Sequence, residues 1–150
     1  MTYTKFWRYG FEEDFKMVEF TKDLLIGVEH IDKQHKTLIE YTNNLISIGS
    51  KAANQEEIEK SLVFIGTYVI KHFADEEAFQ IKIGYPQYDR HRKLHMDFIE
   101  IYRTFVDNYK KNGHSQKFIT IFKNTVVSWI AKHVMVEDQN IGKYYRSQKS

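Results

Sequence analysis

The sequence predicts an all-α protein, an antiparallel up-down-up-down four-helix bundle with an N-terminal arm. Apolar residues recur at alternating steps of three and four along four segments, the spacing that places side chains on one buried helix face. The chain has a single proline, and glycine-containing breaks at 49–50, 84–86 and 112–113 separate the segments. Because the breaks leave only short connections, successive helices should run antiparallel.

The length of the chain predicts one domain with a single core, since 150 residues can bury most of their apolar surface. We assign 1–19 to the arm and 20–150 to the bundle domain. The arm is expected to pack across the bundle or, as the alternative, to form an interface in a homo-oligomer. Its aromatic residues are Tyr3, Phe6, Trp7, Tyr9, Phe11 and Phe15.

Composition excludes several classes of function. The net charge is +2, from 22 basic and 20 acidic residues, and the lysines are scattered, so nucleic acid is not an expected partner. Cysteine is absent, which excludes disulfides, iron–sulfur clusters and thiolate zinc sites. No segment is long and apolar enough to insert into a membrane or to act as a signal peptide, so we expect a cytoplasmic protein.

The first two helices each carry polar side chains on an otherwise apolar face. The first is predicted over 31–48, with His35 about one turn from its start. The second is predicted over 55–83, where His72 and Glu76 occupy positions at which the period calls for hydrophobic residues. These positions are the first sign of a buried polar site.

The last two helices repeat the pattern. The third is predicted over 87–111, with His91 and His95 at the start of its apolar face. The fourth is predicted over 115–140, with His133 near its end. In an antiparallel bundle all of these positions lie at the same end.

A group of imidazoles and carboxylates is therefore expected to converge in the interior of the bundle. Buried groups of this kind are costly without a partner, and a shared metal ion would supply one. Imidazole and carboxylate suit iron, manganese, zinc or copper. The candidate metal ligands are His35, His72, Glu76, His91, His95, His133 and Asp138.

The spacing of these residues bears on how many ions they hold. The histidine and glutamate of HFADE are one turn apart, as are the two histidines of HRKLH, so each pair can chelate. His133 and Asp138 are five residues apart, a rotation of roughly 140° in a regular α-helix. Either a local π-type widening or a second metal ion would reconcile them. Seven ligands also exceed the need of one six-coordinate ion, so two ions are the better count.

Four motifs resemble those of the hemerythrin family, specifically the single-domain bacterial hemerythrins. They are GVEHIDKQHKTL, HFADEE, HRKLH and WIAKHVMVED, in the order of the family and covering about 20–138. The chain departs from the family at Phe20, where tryptophan is common, and at Gln80, where methionine is common. Neither departure replaces a predicted ligand.

The resemblance implies a non-haem di-iron centre bridged by oxide or hydroxide. It assigns three histidines to one iron and two to the other, which keeps an open position for dioxygen. The first iron would be bound by His91, His95 and His133, the second by His35 and His72, and both by the bridging Glu76 and Asp138. By similarity of place, the pocket around the open position would be walled by Leu38, Phe73, Trp129, Ile130 and Val134, for which plain core packing is the alternative.

The resemblance implies reversible dioxygen binding, for storage, transport or delivery, without catalytic turnover. An oxidoreductase acting on peroxide, nitric oxide or ferrous iron is the alternative, although the sequence has no recognisable flavin, haem or nicotinamide motif. An oxygen sensor that acts through a separate partner is the third possibility.

Overall fold

The computed structural model describes residues 18–51 and 54–149, and the regular structure within these ranges is helical. A short 3-10 turn, Lys22–Leu24, precedes four long helices. The helices are α1 (Glu29–Ser50), α2 (Gln55–Ile83), α3 (Tyr88–Asn112) and α4, which is helical throughout 116–147. The predicted all-α four-helix fold is confirmed. The aromatic residues of the predicted arm lie outside the described residues.

Contacts between helices show their antiparallel order. Gln34, early in α1, bonds to His72, late in α2. Tyr102, in the second half of α3, donates its hydroxyl to the carbonyl oxygen of Leu62, early in α2, at 2.5 Å. Each contact joins the beginning of one helix to the end of its neighbour. Among the described residues, no helix combines the length and the apolar character needed to cross a membrane.

The turn between α2 and α3 fixes one end of the bundle. Gly84 ends α2 in the left-handed conformation, with φ of 68°, and its N–H bonds to the carbonyl oxygens of Gln80 and Ile81. Glycine adopts this conformation without strain, which explains the sharp stop. The turn brings the end of α2 next to the beginning of α3.

Helix α4 continues well past the predicted end near residue 140. Gly142 lies inside the helix, where an added Cβ would meet the carbonyl oxygen of Ile26 at 2.1 Å. Arg146 donates to the same carbonyl oxygen at 2.6 Å. Gln139 donates to the carbonyl oxygens of Asp23 and Leu25. The end of α4 therefore holds the loop that leads into α1.

Two apolar clusters lie on either side of the predicted site. The main core fills most of the bundle and reaches the site through Leu38, Phe73 and Val134, each within a turn of a predicted ligand. A smaller cluster lies beyond the site, and consists of Ile26, Val28 and Ile31 packed against Phe79 and Tyr145. The predicted site is thus enclosed by apolar side chains.

Candidate metal centre

The structure brings all seven predicted ligands together at one end of the bundle. Their side chains are buried, each at most 5% exposed. Their ligand atoms form two groups, and within each group these atoms lie within 4.8 Å of one another. One group consists of Glu76, His91, His95, His133 and Asp138, and the other of His35, His72, Glu76 and Asp138. The two carboxylates belong to both groups.

We call the part formed by His91, His95 and His133 the three-histidine half. The Nε2 atom of His133 lies 3.1 Å from the Nε2 atoms of both other histidines. Glu76 Oε1 is 2.7 Å from His91 Nε2, and Asp138 Oδ1 is 3.0 Å from His133 Nε2. Three imidazole nitrogens and two carboxylate oxygens thus surround one point.

We call the part formed by His35 and His72 the two-histidine half. His35 Nε2 lies 3.0 Å from Asp138 Oδ2 and 3.5 Å from Glu76 Oε2. His72 Nε2 lies 3.1 Å from the same oxygen of Glu76. Each carboxylate therefore directs one oxygen to each half, which is the arrangement of a bridging ligand.

A π-helix places the residues that a regular helix would separate. His133–Asp138 is a π-helical segment of α4, and this is the local widening that the spacing of His133 and Asp138 allowed. Both side chains face the site as a result. A second π-helical segment, Lys123–Val127, lies one turn earlier, and nothing in the sequence pattern pointed to it.

A salt bridge fixes the π-helical segment to α3. Arg90 donates two hydrogen bonds to Glu137, at 2.6 and 3.0 Å, in the paired geometry that guanidinium and carboxylate favour. The Arg90 guanidinium lowers the pKa of Glu137. These residues are the immediate neighbours of His91 and Asp138, so the pair holds two predicted ligands in register.

A neutral amide orients His72. Its Nδ1 atom lies 2.8 Å from Gln34 Oε1, which can only accept a hydrogen bond, so Nδ1 is the protonated nitrogen. The Nε2 lone pair then faces the carboxylates. Gln34 in turn donates to Asp75 Oδ2 at 2.6 Å, and Lys71 donates to the same oxygen at 2.8 Å.

A carboxylate orients His95. Its Nδ1 atom donates to Glu77 Oε1 at 2.9 Å, and the Nε2 lone pair again faces the site. Sequence reasoning missed both orienting residues, because Glu77 resembles a solvated surface residue and Gln34 lies outside the spacing of the ligands. The available signal was their position, since each is adjacent in the sequence to a predicted ligand.

Opposing charges dominate the electrostatics of the site. Burial favours the neutral form of His35 and of His91, but Asp138 and Glu76 outweigh it and raise the pKa of each histidine to about 9. Burial alone would raise the pKa of Glu76, yet the surrounding histidines hold it well below its usual value. In His72 burial prevails and lowers the pKa. Without a metal ion, protons on histidines balance the carboxylates.

The site has buried polar atoms whose lone pairs lack hydrogen-bond partners. They are His35 Nε2, Glu76 Oε2 and both carboxylate oxygens of Asp138. His35 Nε2 and Asp138 Oδ2 lie only 3.0 Å apart but form no hydrogen bond. Ligand atoms at right angles around an ion about 2.1 Å away are separated by about 3.0 Å, so these spacings suit a shared cation. The residues present therefore fit a metal ion.

The predicted pocket residues are all close to the site but differ in what they contact. Phe73 stacks on the ring of His95, with centroids 3.8 Å apart and an interplanar angle of 5°. Trp129 stacks on His133 at 4.4 Å. Both therefore pack on the three-histidine half. The other three, Leu38, Ile130 and Val134, are buried members of the main core.

The fold and the site define a class, helical bundles that hold metal ions in their core through histidine and carboxylate side chains. The family model of the hemerythrin HHE cation binding domain matches residues 26–145. The chain belongs to the hemerythrin family, as the resemblance of its four motifs predicted.

Relatives match over most of the chain. A bacteriohemerythrin of Campylobacter jejuni subsp. jejuni serotype O:23/36 is 32% identical over 138 residues, which cover 89% of this chain and 94% of the relative. One from Clostridium acetobutylicum is 29% identical, over 76% of this chain and 90% of the relative. One from Pseudomonas aeruginosa strain LESB58 is 29% identical, over 77% of this chain and 73% of the relative.

Proposed function

We propose that this protein binds dioxygen reversibly at a non-haem di-iron centre. The observation that carries the proposal is the pair of overlapping ligand groups, in which both buried carboxylates are shared. Two ions side by side account for a shared pair of carboxylates better than one ion does, because each carboxylate has two oxygens. Membership of the hemerythrin family supports dioxygen as the ligand.

The proposed ligand assignment follows the two halves. One iron would be held by His91, His95 and His133, the other by His35 and His72, and Glu76 and Asp138 would contribute to both. Two ferrous ions, if bound there, would supply the two electrons that reversible dioxygen binding requires. The two-histidine half offers one imidazole fewer, and this leaves room for an external ligand there.

The protein side chains of the proposed site favour binding over turnover. Five neutral imidazoles against two carboxylates stabilise the ferrous state more than a carboxylate-rich set would. The apolar clusters on both sides keep water away, and Leu38, Ile130 and Val134 are the proposed wall of the dioxygen pocket. Exclusion of water limits the supply of the protons with which dioxygen would leave as peroxide, keeping the electrons.

The test is anaerobic loading of the metal-free protein with ferrous iron, followed by optical spectra as dioxygen is added and then removed. We expect two irons per chain, a charge-transfer band with dioxygen, and its disappearance under vacuum. His72→Ala should weaken the band, whereas His30→Ala, a change at an exposed histidine, should not.

Two results would contradict the proposal. Uptake of a single iron per chain would exclude a di-iron centre. Conversion to a stable ferric form with accumulating product would show an oxidase, the alternative function. Peroxide and nitric oxide should be tried as substrates in the same experiment.

A further inference from the structure

Gln80 is a buried amide beside one of the two shared carboxylates. It follows Glu76 by one turn of α2, and both side chains are fully buried. Gln80 Nε2 lies 3.5 Å from Glu76 Oε1, the oxygen that faces His91 and His95. Gln80 Oε1 has no hydrogen-bond partner.

An amide at this position is costly. A buried carboxamide with an unpartnered oxygen loses its hydration without full compensation, whereas a methionine of similar size would lose little. The position itself is firmly set, because the Gln80 carbonyl oxygen accepts hydrogen bonds from the N–H groups of Gly84 and Tyr85 at the end of the helix. The fold therefore fixes the main chain of Gln80 one turn after Glu76, and the buried side chain lies beside the carboxylate.

The amide can face Glu76 in only one favourable way. A carboxylate accepts hydrogen bonds and donates none, so the NH2 group, not the oxygen, belongs on its side. An N–H directed at a carboxylate oxygen withdraws electron density from it. The carboxylate then donates less to a metal ion, which favours the lower charge on that ion.

We infer that Gln80 is a positioning residue that, through Glu76, raises the reduction potential of the iron centre and protects its ferrous state. The inference rests on the proposed di-iron centre and deepens it. It concerns a residue at which this chain departs from the family pattern.

The experiment compares Gln80→Met with the unchanged protein, both at full length and loaded anaerobically with ferrous iron. We expect a lower midpoint potential by spectroelectrochemistry and a ferrous lifetime in air shorter by about two- to tenfold, the worth of one hydrogen bond. Gln80→Asn, which stays polar but is too short to reach Glu76, should behave like Gln80→Met.

A matched control lies on the same helix. Gln55 donates to Glu59 at 2.9 Å, also a glutamine–glutamate pair one turn apart, but on the exposed surface. Gln55→Met should leave the potential unchanged. A comparable shift in this control would show that the effect is not specific to the site, and would overturn the inference.

Thermal unfolding of the metal-free proteins separates positioning from packing. Gln80→Met should unfold at the same or a higher temperature, since it removes an unpartnered polar group. A lower unfolding temperature with an unchanged potential would show that Gln80 only packs, and would overturn the inference while leaving dioxygen binding intact. If the unchanged protein binds two irons but oxidises irreversibly, dioxygen carriage fails, yet a lower potential in Gln80→Met still supports this inference.

Discussion

The two halves of the site differ in how their histidines are held. In the three-histidine half, a carboxylate orients His95, aromatic rings stack on His95 and His133, and a salt bridge fixes the adjoining backbone. In the two-histidine half, a neutral amide orients His72, and Nδ1 of His35 has no hydrogen-bond partner. One half is therefore built to hold its ligands rigidly, and the other has a ligand fewer and weaker support.

This difference suits a site in which one ion is anchored and the other receives an external molecule. A carboxylate partner makes an imidazole a stronger donor than an amide partner does. The three-histidine half, with its stronger donors and rigid support, is thus the expected place for an ion whose coordination positions are all filled. Substitutions in and around each half, together with a change of pH, test this interpretation.

Removing a shared carboxylate should abolish both halves together. Glu76→Ala is expected to lose most of its bound iron, because Glu76 belongs to both ligand groups and its loss leaves Asp138 as the one carboxylate among five buried histidines of these groups. Iron per chain, measured after anaerobic loading and desalting, is the readout. If Glu76→Ala retained one full equivalent of iron, the carboxylate would serve one half only and the bridging assignment would be wrong.

Exchanging the partner of His95 should weaken the three-histidine half. Glu77→Gln preserves a hydrogen-bond acceptor but removes the charge, and we expect metal affinity to fall by about 10–100-fold. Competition with a chelator measures it. The reverse exchange in the two-histidine half, Gln34→Glu combined with Asp75→Asn to remove the carboxylate to which Gln34 donates, should tighten binding. Equal and opposite effects would support the comparison, and no effect of Glu77→Gln would refute it.

A polar group in the proposed pocket should shorten the life of the ferrous state. Ile130→Thr introduces a hydroxyl near the site and should speed autoxidation several-fold, as followed by the decay of the dioxygen spectrum. Ile121→Thr, at a position that is 41% exposed, is the matched control. An unchanged autoxidation rate in Ile130→Thr would show that Ile130 is an ordinary core residue and not part of the pocket.

The pH dependence of the metal-free protein should reflect the raised histidine pKa values. His35 and His91 titrate near 9 in the folded state and near 6.5 when unfolded, so they stabilise the fold fully below about 6.5. That contribution is lost as the pH rises through 9. Thermal unfolding between pH 6 and pH 10 should show a falling midpoint, and a flat profile would contradict it.

The same protons must leave when metal binds. At neutral pH, loading should release about two protons per chain, measured by calorimetry in buffers of different ionisation enthalpy. A dependence on buffer identity that vanishes above pH 10 would agree with this account.

The smallest effect is expected from the salt bridge that supports the three-histidine half. Arg90→Ala should destabilise the protein by about 0.5–1 kcal/mol, since Arg90 is more than half exposed and its pair with Glu137 is partly screened. Urea denaturation measures the change. Arg103→Ala, which breaks an exposed pair with Glu100 away from the site, is the control.

Local periodicity was enough to predict the four helices and the end of the bundle at which the candidate ligands meet. The reason is that His72 and Glu76 replace hydrophobic residues on a regular stripe. Because successive helices alternate in direction, the polar positions of all four helices then lie at the same end of the bundle. The five-residue step from His133 to Asp138 pointed to a widened helix as one of two explanations, because no regular α-helix accommodates it.

The supporting contacts could not be predicted in the same way. Gln34 and Glu77 lie outside the ligand spacing, and their contacts with His72 and His95 depend on the exact rotation of one helix against another. Gln80 continues the four-residue step from His72 through Glu76, but the spacing does not report which way its amide turns. The long end of α4 likewise depends on tertiary contacts, such as the close approach of Gly142 to Ile26. Sequence patterns report the helix face that a residue occupies, whereas these contacts also depend on the position of the neighbouring helix.

The end of α4 has a consequence for how this protein should be handled. All seven candidate ligands lie at or before Asp138, so a fragment cut there would retain every one of them. It would nevertheless lose Gln139 and Arg146, which fasten the segment before α1, and with them the covering over the small apolar cluster. A protease that trims these last turns would therefore open the interior to solvent without removing a single metal-binding side chain.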